Sequence, residues 1–200
     1  LVHNADKFDI IHIATHAFTD TLFEDFSGLA LAIDKDSTDD GLLQGFEIKE
    51  KNFSCDLIAL SACETGRGKA ISGEGILALP RHFLLAGARS VLMSQWKVDD
   101  RFTSILLPKF YQHYIPTTMN KANALRHAKV DILTHSKKYR GTYYQHPFFW
   151  ASFNLYGDPG MEHQPHKSTN LWIVILGFAG IGTFGFAVIL TIRKRRQGEA

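Results

Sequence analysis

Asp56-Leu57-Ile58-Ala59-Leu60-Ser61-Ala62-Cys63-Glu64-Thr65-Gly66 is the stretch on which the fold turns. Leu57 to Leu60 is apolar without alternation and is too short for a stable helix. Such a run reads as a strand buried on both faces, the habit of parallel strands covered by helices. It ends at a cysteine and a glycine-containing turn. Phe8-Asp9-Ile10-Ile11-His12-Ile13-Ala14 reads in the same way, as do the apolar run Leu29 to Ile33 and Ser90-Val91-Leu92-Met93-Ser94-Gln95-Trp96. Between and after these runs the spacing becomes helical. Gly73 to Ala88 places Ile76, Leu77, Leu79, Phe83, Leu84 and Ala86 on a helix, with Pro80 expected to kink it and Gly87 to end it. Asp99 or Asp100 is suited to cap a helix that runs to about Tyr114. Met119 to Thr134 is a further amphipathic helix, and Trp150 to Tyr156 a last strand. Asp34 to Asp40, closed by Gly41, is a turn. Strands alternating with helices predict an α/β sandwich with a largely parallel sheet.

The 200 residues suffice for one domain with a core, and 45% hydrophobic with 21% charged residues is the balance of a globular chain. The net charge of +2 is concentrated in Arg193-Lys194-Arg195-Arg196, with no basic stripe elsewhere, which argues against a nucleic-acid partner. Leu171 to Ile192 carries no charged residue. It has about the 20-residue length of a membrane-spanning helix, with Trp172 at its leading edge. The basic cluster that follows places the tail in the cytoplasm, and the preceding domain in the periplasm or another extracytoplasmic compartment. The expected layout is a domain over 1–162, a linker over 163–170, a transmembrane helix over 171–192 and a basic tail over 193–200. The chain opens on Leu1 with no signal-peptide pattern, and reads as the C-terminal piece of a longer protein.

In open α/β sheets, sites gather at the carboxyl ends of strands. His16 and Cys63 both fall at such ends. If their strands are neighbours, they lie about 5 Å apart. An imidazole beside a thiol supplies the base that makes it a nucleophilic thiolate. Gly66 and Gly68 allow a sharp turn, whose backbone N–H groups are suited to an oxyanion. Other chemistries fit less well. Gly73-Glu74-Gly75 lacks the Lys-Ser/Thr of a phosphate loop. No Cys-x-x-Cys pair supports thiol–disulfide exchange. Cys55 and Cys63 are separated by a strand of about 26 Å, beyond disulfide reach. His12 shares a strand with His16, but no ligand cluster surrounds the pair. It is expected to pack and hydrogen-bond beneath the site.

Ile11-His12-Ile13-Ala14-Thr15-His16-Ala17 resembles the histidine motif of the CHAT domain family, and Leu60-Ser61-Ala62-Cys63-Glu64-Thr65-Gly66 its cysteine motif. Further matches follow in order: Gly73-Glu74-Gly75, Phe83 to Val91, Gln95-Trp96-Lys97-Val98-Asp99-Asp100, Phe110-Tyr111, Ala124-Leu125-Arg126, and His146 to Phe153. The similarity spans about Phe8 to Asp158. It implies a caspase-like three-layer α/β sandwich related to caspases and separases, with a mostly parallel sheet, His16 as base and Cys63 as nucleophile. The oxyanion would be held by the backbone N–H groups of Cys63 and Ala17, where relatives often have Gly at the latter position. In the related separases an acidic residue of a comparable Trp-x-Val-x-Asp segment helps bind a basic side chain before the scissile bond. Asp100 holds the matching position, with Asp99 adjacent. The resemblance also implies fusion behind tetratricopeptide repeats, and first strands lying before Leu1. The expected function is a membrane-anchored cysteine endopeptidase that acts on a protein or peptide and uses no cofactor or metal. The alternative is an interaction module of the same fold with an idle dyad.

Overall fold

The computed structural model describes residues 2–20, 22–31, 40–61, 63–64, 75–135, 143–161, 171–178 and 185–193. Residues 34–39 of the expected turn at 34–40, the glycine-bearing segment 65–74, the linker 163–170 and the basic residues 194–196 lie outside the described residues.

A 3-10 turn, Val2–Lys7, leads into β1 (Phe8–Ile13), which is followed by β2 (His16–Phe18), β3 (Gly28–Ala30) and β4 (Leu42–Gln44). Next come α1 (Gly45–Glu50), β5 (Leu57–Leu60), β6 (Cys63–Glu64), α2 (Gly75–Leu85) and β7 (Ser90–Ser94). The helices α3 (Asp100–Tyr114), α4 (Lys121–Thr134) and the short α5 (Pro147–Trp150) precede β8 (Phe153–Gly157), β9 (Leu171–Phe178) and β10 (Gly185–Arg193).

Six strands form the main sheet in the order β8-β7-β5-β1-β10-β9. At its centre β1, β5 and β7 run parallel, and β8 and β10 join antiparallel on either side of them. The three parallel strands are those read from short, mostly apolar runs, and all four residues of β5 are fully buried. Their side chains alternate between two cores. Ile11, Ile13, Ile58, Leu60, Val91 and Met93 pack with Ile48 of α1 and Leu79 and Phe83 of α2. Ile10, Leu57, Ala59 and Leu92 pack with Phe102, Leu106 and Phe110 of α3 and Ala124, Ala128 and Ile132 of α4. The result is three layers, helix–sheet–helix, with both sheet faces removed from water.

The helix boundaries have local causes. Gly87, at φ +98°, turns the chain out of α2. The N–H of Gly87 donates to Leu84 O at 3.1 Å and that of Ala88 to Phe83 O at 3.0 Å, which satisfies two of the last carbonyls. Pro80 lies inside α2 without ending it. The last strand begins later than the sequence suggests. Pro147 at the start of a helical turn makes α5, the chain turns at Ala151 and Ser152, and β8 starts at Phe153.

The main departure is C-terminal. The sequence reading makes 171–192 a transmembrane helix, whereas the described parts of that run are the antiparallel strands β9 and β10, with β10 laid along the free edge of β1. Among the described residues no helix is long and apolar enough to cross a membrane. The physical reason lies in the residue types. Ile173, Val174, Ile175, Val188, Ile189 and Ile192 are β-branched, the glycines at 177, 180, 182 and 185 weaken a helix, and β1 offers an unpaired edge.

Candidate active site

Two residues, Ala14 and Thr15, separate β1 from β2, and two separate β5 from β6. Across both gaps the chain passes from the main sheet to a small one of order β4-β3-β2-β6. The two strand exits travel together. In the main sheet Ile13 is in register with Leu60; in the small one His16 is in register with Cys63, at the same sequence offset, on parallel strands. The N–H of Ser61 donates to Ile13 O at 3.0 Å and keeps the ladder going between the two sheets. Neighbouring strands lie about 4.8 Å apart, so the backbones of the predicted base and nucleophile are side by side.

His16 is exposed and also in register with Ala30 of β3. The Thr15 hydroxyl donates to the Ala30 carbonyl, which ties the residue before His16 to the same strand. Ala17 is buried between β3 and β6, in register with Leu29 on one side and Glu64 on the other.

His12 lies beneath, in the main sheet, and only 8% of it is exposed. Its Nε2 is 3.0 Å from Ser61 Oγ and its Nδ1 is 3.2 Å from the Tyr111 hydroxyl on α3. Both ring nitrogens are therefore engaged, one as donor and one as acceptor in a neutral ring. Burial depresses the His12 pKa to about 4 and pushes the Tyr111 phenol upward. Sequence reasoning anticipates a hydrogen-bonded His12 but not these partners. The signal for Ser61 is a hydroxyl closing an apolar strand; Tyr111, reached from a distant helix, leaves none. The other cysteine, Cys55, is buried and free, and burial pushes its thiol up to about 12, so it stays protonated and unreactive.

On the same edge, the segment after β7 is hung from β8 and the chain just before it. Gln95 N–H donates to Ser152 O at 2.8 Å, Gln95 Nε2 to the Tyr156 hydroxyl at 3.0 Å, and Trp96 Nε1 to Phe148 O at 2.9 Å. Asp99 caps α3. Its Oδ1 accepts from the Arg101 N–H at 2.9 Å and its Oδ2 from the Tyr144 hydroxyl at 3.1 Å. Asp100, in the first turn of that helix, is exposed. The parallel β1, β5 and β7 thus deliver His16, Cys63 and the Asp99–Asp100 pair to one edge of the molecule.

The chain matches the CHAT domain over residues 1–158. It belongs to the CHAT domain family. This CHAT domain is also similar to tetratricopeptide repeat protein 28 of Mus musculus, 29% identical over 124 residues, and to tetratricopeptide repeat protein 28 of Homo sapiens, 28% identical over 124 residues. Either match covers 62% of this chain and 5% of the relative, so the chain spans about a twentieth of those proteins.

Proposed function

We propose that this CHAT domain is a cysteine endopeptidase in which His16 takes the proton of Cys63. The observation that carries the reading is the register of His16 with Cys63 on adjacent parallel strands at the carboxyl ends of β1 and β5. In the reaction the His16 imidazole accepts the Cys63 thiol proton and the thiolate attacks a peptide carbonyl. The backbone N–H groups of Cys63 and Ala17 receive the developing oxyanion. Collapse expels the amine, which takes its proton from His16. Water, deprotonated by His16, then hydrolyses the thioester and regenerates the thiol. The chemistry uses these side chains, the backbone N–H groups and water, and calls on no cofactor. Asp100, exposed at the edge that carries the dyad, is the proposed partner for a basic side chain before the scissile bond. Asp99, whose carboxylate caps α3, supports it from the adjacent position.

The test is a screen of protein and peptide substrates with Arg or Lys before the cleaved bond. Cys63→Ala should lower kcat/KM by at least about a thousandfold while leaving the melting curve in place. Cleavage retained in Cys63→Ala overturns the assignment. Cys63 that alkylates slowly, and equally slowly in His16→Ala, instead marks an interaction module with an idle dyad.

The proposal extends to a tether. The uncharged run 171–192 followed by Arg193–Arg196 has the length and the flanking charge of an anchor, and insertion would exchange the pairing of β10 with β1 for a span. In a bilayer the basic tail would be cytoplasmic and the CHAT domain on the opposite face. The tetratricopeptide-repeat relatives support a repeat region in the same polypeptide as the likewise proposed partner of this domain.

A further inference from the structure

We propose that Ser61 is a positioning residue for Cys63, and that the hydrogen-bonded chain Tyr111–His12–Ser61 sets the register in which the cysteine strand meets the histidine strand. The inference rests on the dyad reading and says what holds the dyad together. The small sheet cannot do this alone. The β6 strand is two residues long and β2 three, too few to fix a register through their own side-chain pattern. The register must be imposed where the strands leave the main sheet, and Ser61 stands at that point, two positions before Cys63.

Ser61 is fastened there twice. Its N–H donates to Ile13 O at 3.0 Å and its Oγ lies 3.0 Å from His12 Nε2. Ile13 and His12 are themselves the end of β1, three and four positions before His16. The cysteine arm is thereby bolted to the histidine arm immediately below both reactive residues. The far side of His12 is closed by the Tyr111 hydroxyl at 3.2 Å, with the two rings 5.7 Å apart. In this buried position a ring nitrogen left without its partner costs more than the bond itself is worth, so the ring has little freedom to turn away. Tyr111 sits on α3, the helix whose first turn carries Asp100. One chain of bonds therefore links the cysteine arm, the histidine arm and the helix of the proposed specificity residue.

The experiment is alkylation of the full chain by iodoacetamide as a function of pH, with modification of Cys63 read by peptide mass spectrometry so that Cys55 is scored separately. The wild type should show a His16-dependent thiol titrating below the ordinary value of about 8.5. Ser61→Ala should slow alkylation near pH 7 by about tenfold and move the titration toward that ordinary value. Ser61→Thr, which keeps the hydroxyl, should restore it, and Tyr111→Phe should fall between. A role in global stability alone would move the melting temperature and leave the titration where it was. Should Ser61→Ala fail to fold, Tyr111→Phe carries the test at the far end of the chain. A titration that responds to His16→Ala but to neither Ser61→Ala nor Tyr111→Phe overturns the inference and spares the dyad. A titration indifferent to His16→Ala overturns the dyad reading and the inference with it.

Discussion

His12 is buried as a neutral ring, and this has a thermodynamic consequence. Its pKa is about 4 in the fold, through burial, against about 6.5 in an unfolded chain. Between those values the unfolded chain binds a proton that the folded one does not. Stability is therefore complete above about pH 6.5 and falls as pH drops toward 4, by about 3 kcal/mol in total. Denaturant unfolding at pH 7 and pH 4.5 should show the loss in wild type and a smaller one in His12→Gln. An unchanged difference removes His12 as its source. At the other end of the sheet, Asp56 shows the opposite logic. Burial works to raise its carboxyl, but hydrogen bonds from Lys121 and Tyr114, with the charges of Lys121 and Arg89, hold it below the usual carboxylate range. Its contribution is present at neutral pH and is lost as pH falls through that lowered value. Lys121 is only 1% exposed, with Nζ 2.8 Å from Asp56 Oδ1. Lys121→Met should cost about 2 kcal/mol at pH 7, because a half-buried carboxylate loses its nearer charge partner and keeps only Arg89 at 3.8 Å, and markedly less once Asp56 is protonated.

At the level of elements, two glycines decide how strands and helices join. Gly157 closes β8 at φ +88°, and a Cβ there would meet the carbonyl oxygen of Arg89 and the side chain of Leu84. Gly157→Ala should destabilise by about 2 kcal/mol, because strain from the positive φ adds to a backbone clash. Gly87→Ala comes no nearer than 3.3 Å to the Ser54 nitrogen, with Asn52 Oδ1 and Ser54 Oγ at ordinary contact distance, and should cost nearer 1 kcal/mol. Chemical denaturation of both variants checks the order, and a Gly87 variant worse than the Gly157 variant would contradict it. The α3 cap was legible as a choice between Asp99 and Asp100, but not which of the two would serve. Tyr144, from a distant 3-10 turn, donates to Asp99 and is part of the cap's setting.

For the molecule as a whole, the free edge of β1 is the question. It is covered by β10, from a run whose length and composition also suit a bilayer. Carbonate extraction of membranes carrying the full chain separates the two states. The tether proposal expects the chain in the pellet and a chain ending at residue 161 in the supernatant. Release of both favours the paired strands, and removal of the segment should then leave an edge prone to self-association, read by light scattering.

Residue pattern alone determined the parallel centre of the sheet. Leu57–Leu60 is apolar throughout, Phe8–Ile13 is apolar apart from Asp9 and His12, and Ser90–Ser94 holds three apolar residues between serines; short runs of this kind, bounded by turn residues, suit strands covered on both faces. Pattern also picked out His16 and Cys63, because reactive residues at strand ends are a local feature. It did not determine that the two exits share one register, that Tyr111 reaches His12 across the sheet–helix interface, or that 171–178 and 185–193 pair as strands. Those depend on contacts between residues far apart in sequence. For an apolar run the choice between helix and strand belongs to the surroundings: a bilayer rewards a closed helix, and a bare sheet edge rewards an extended chain.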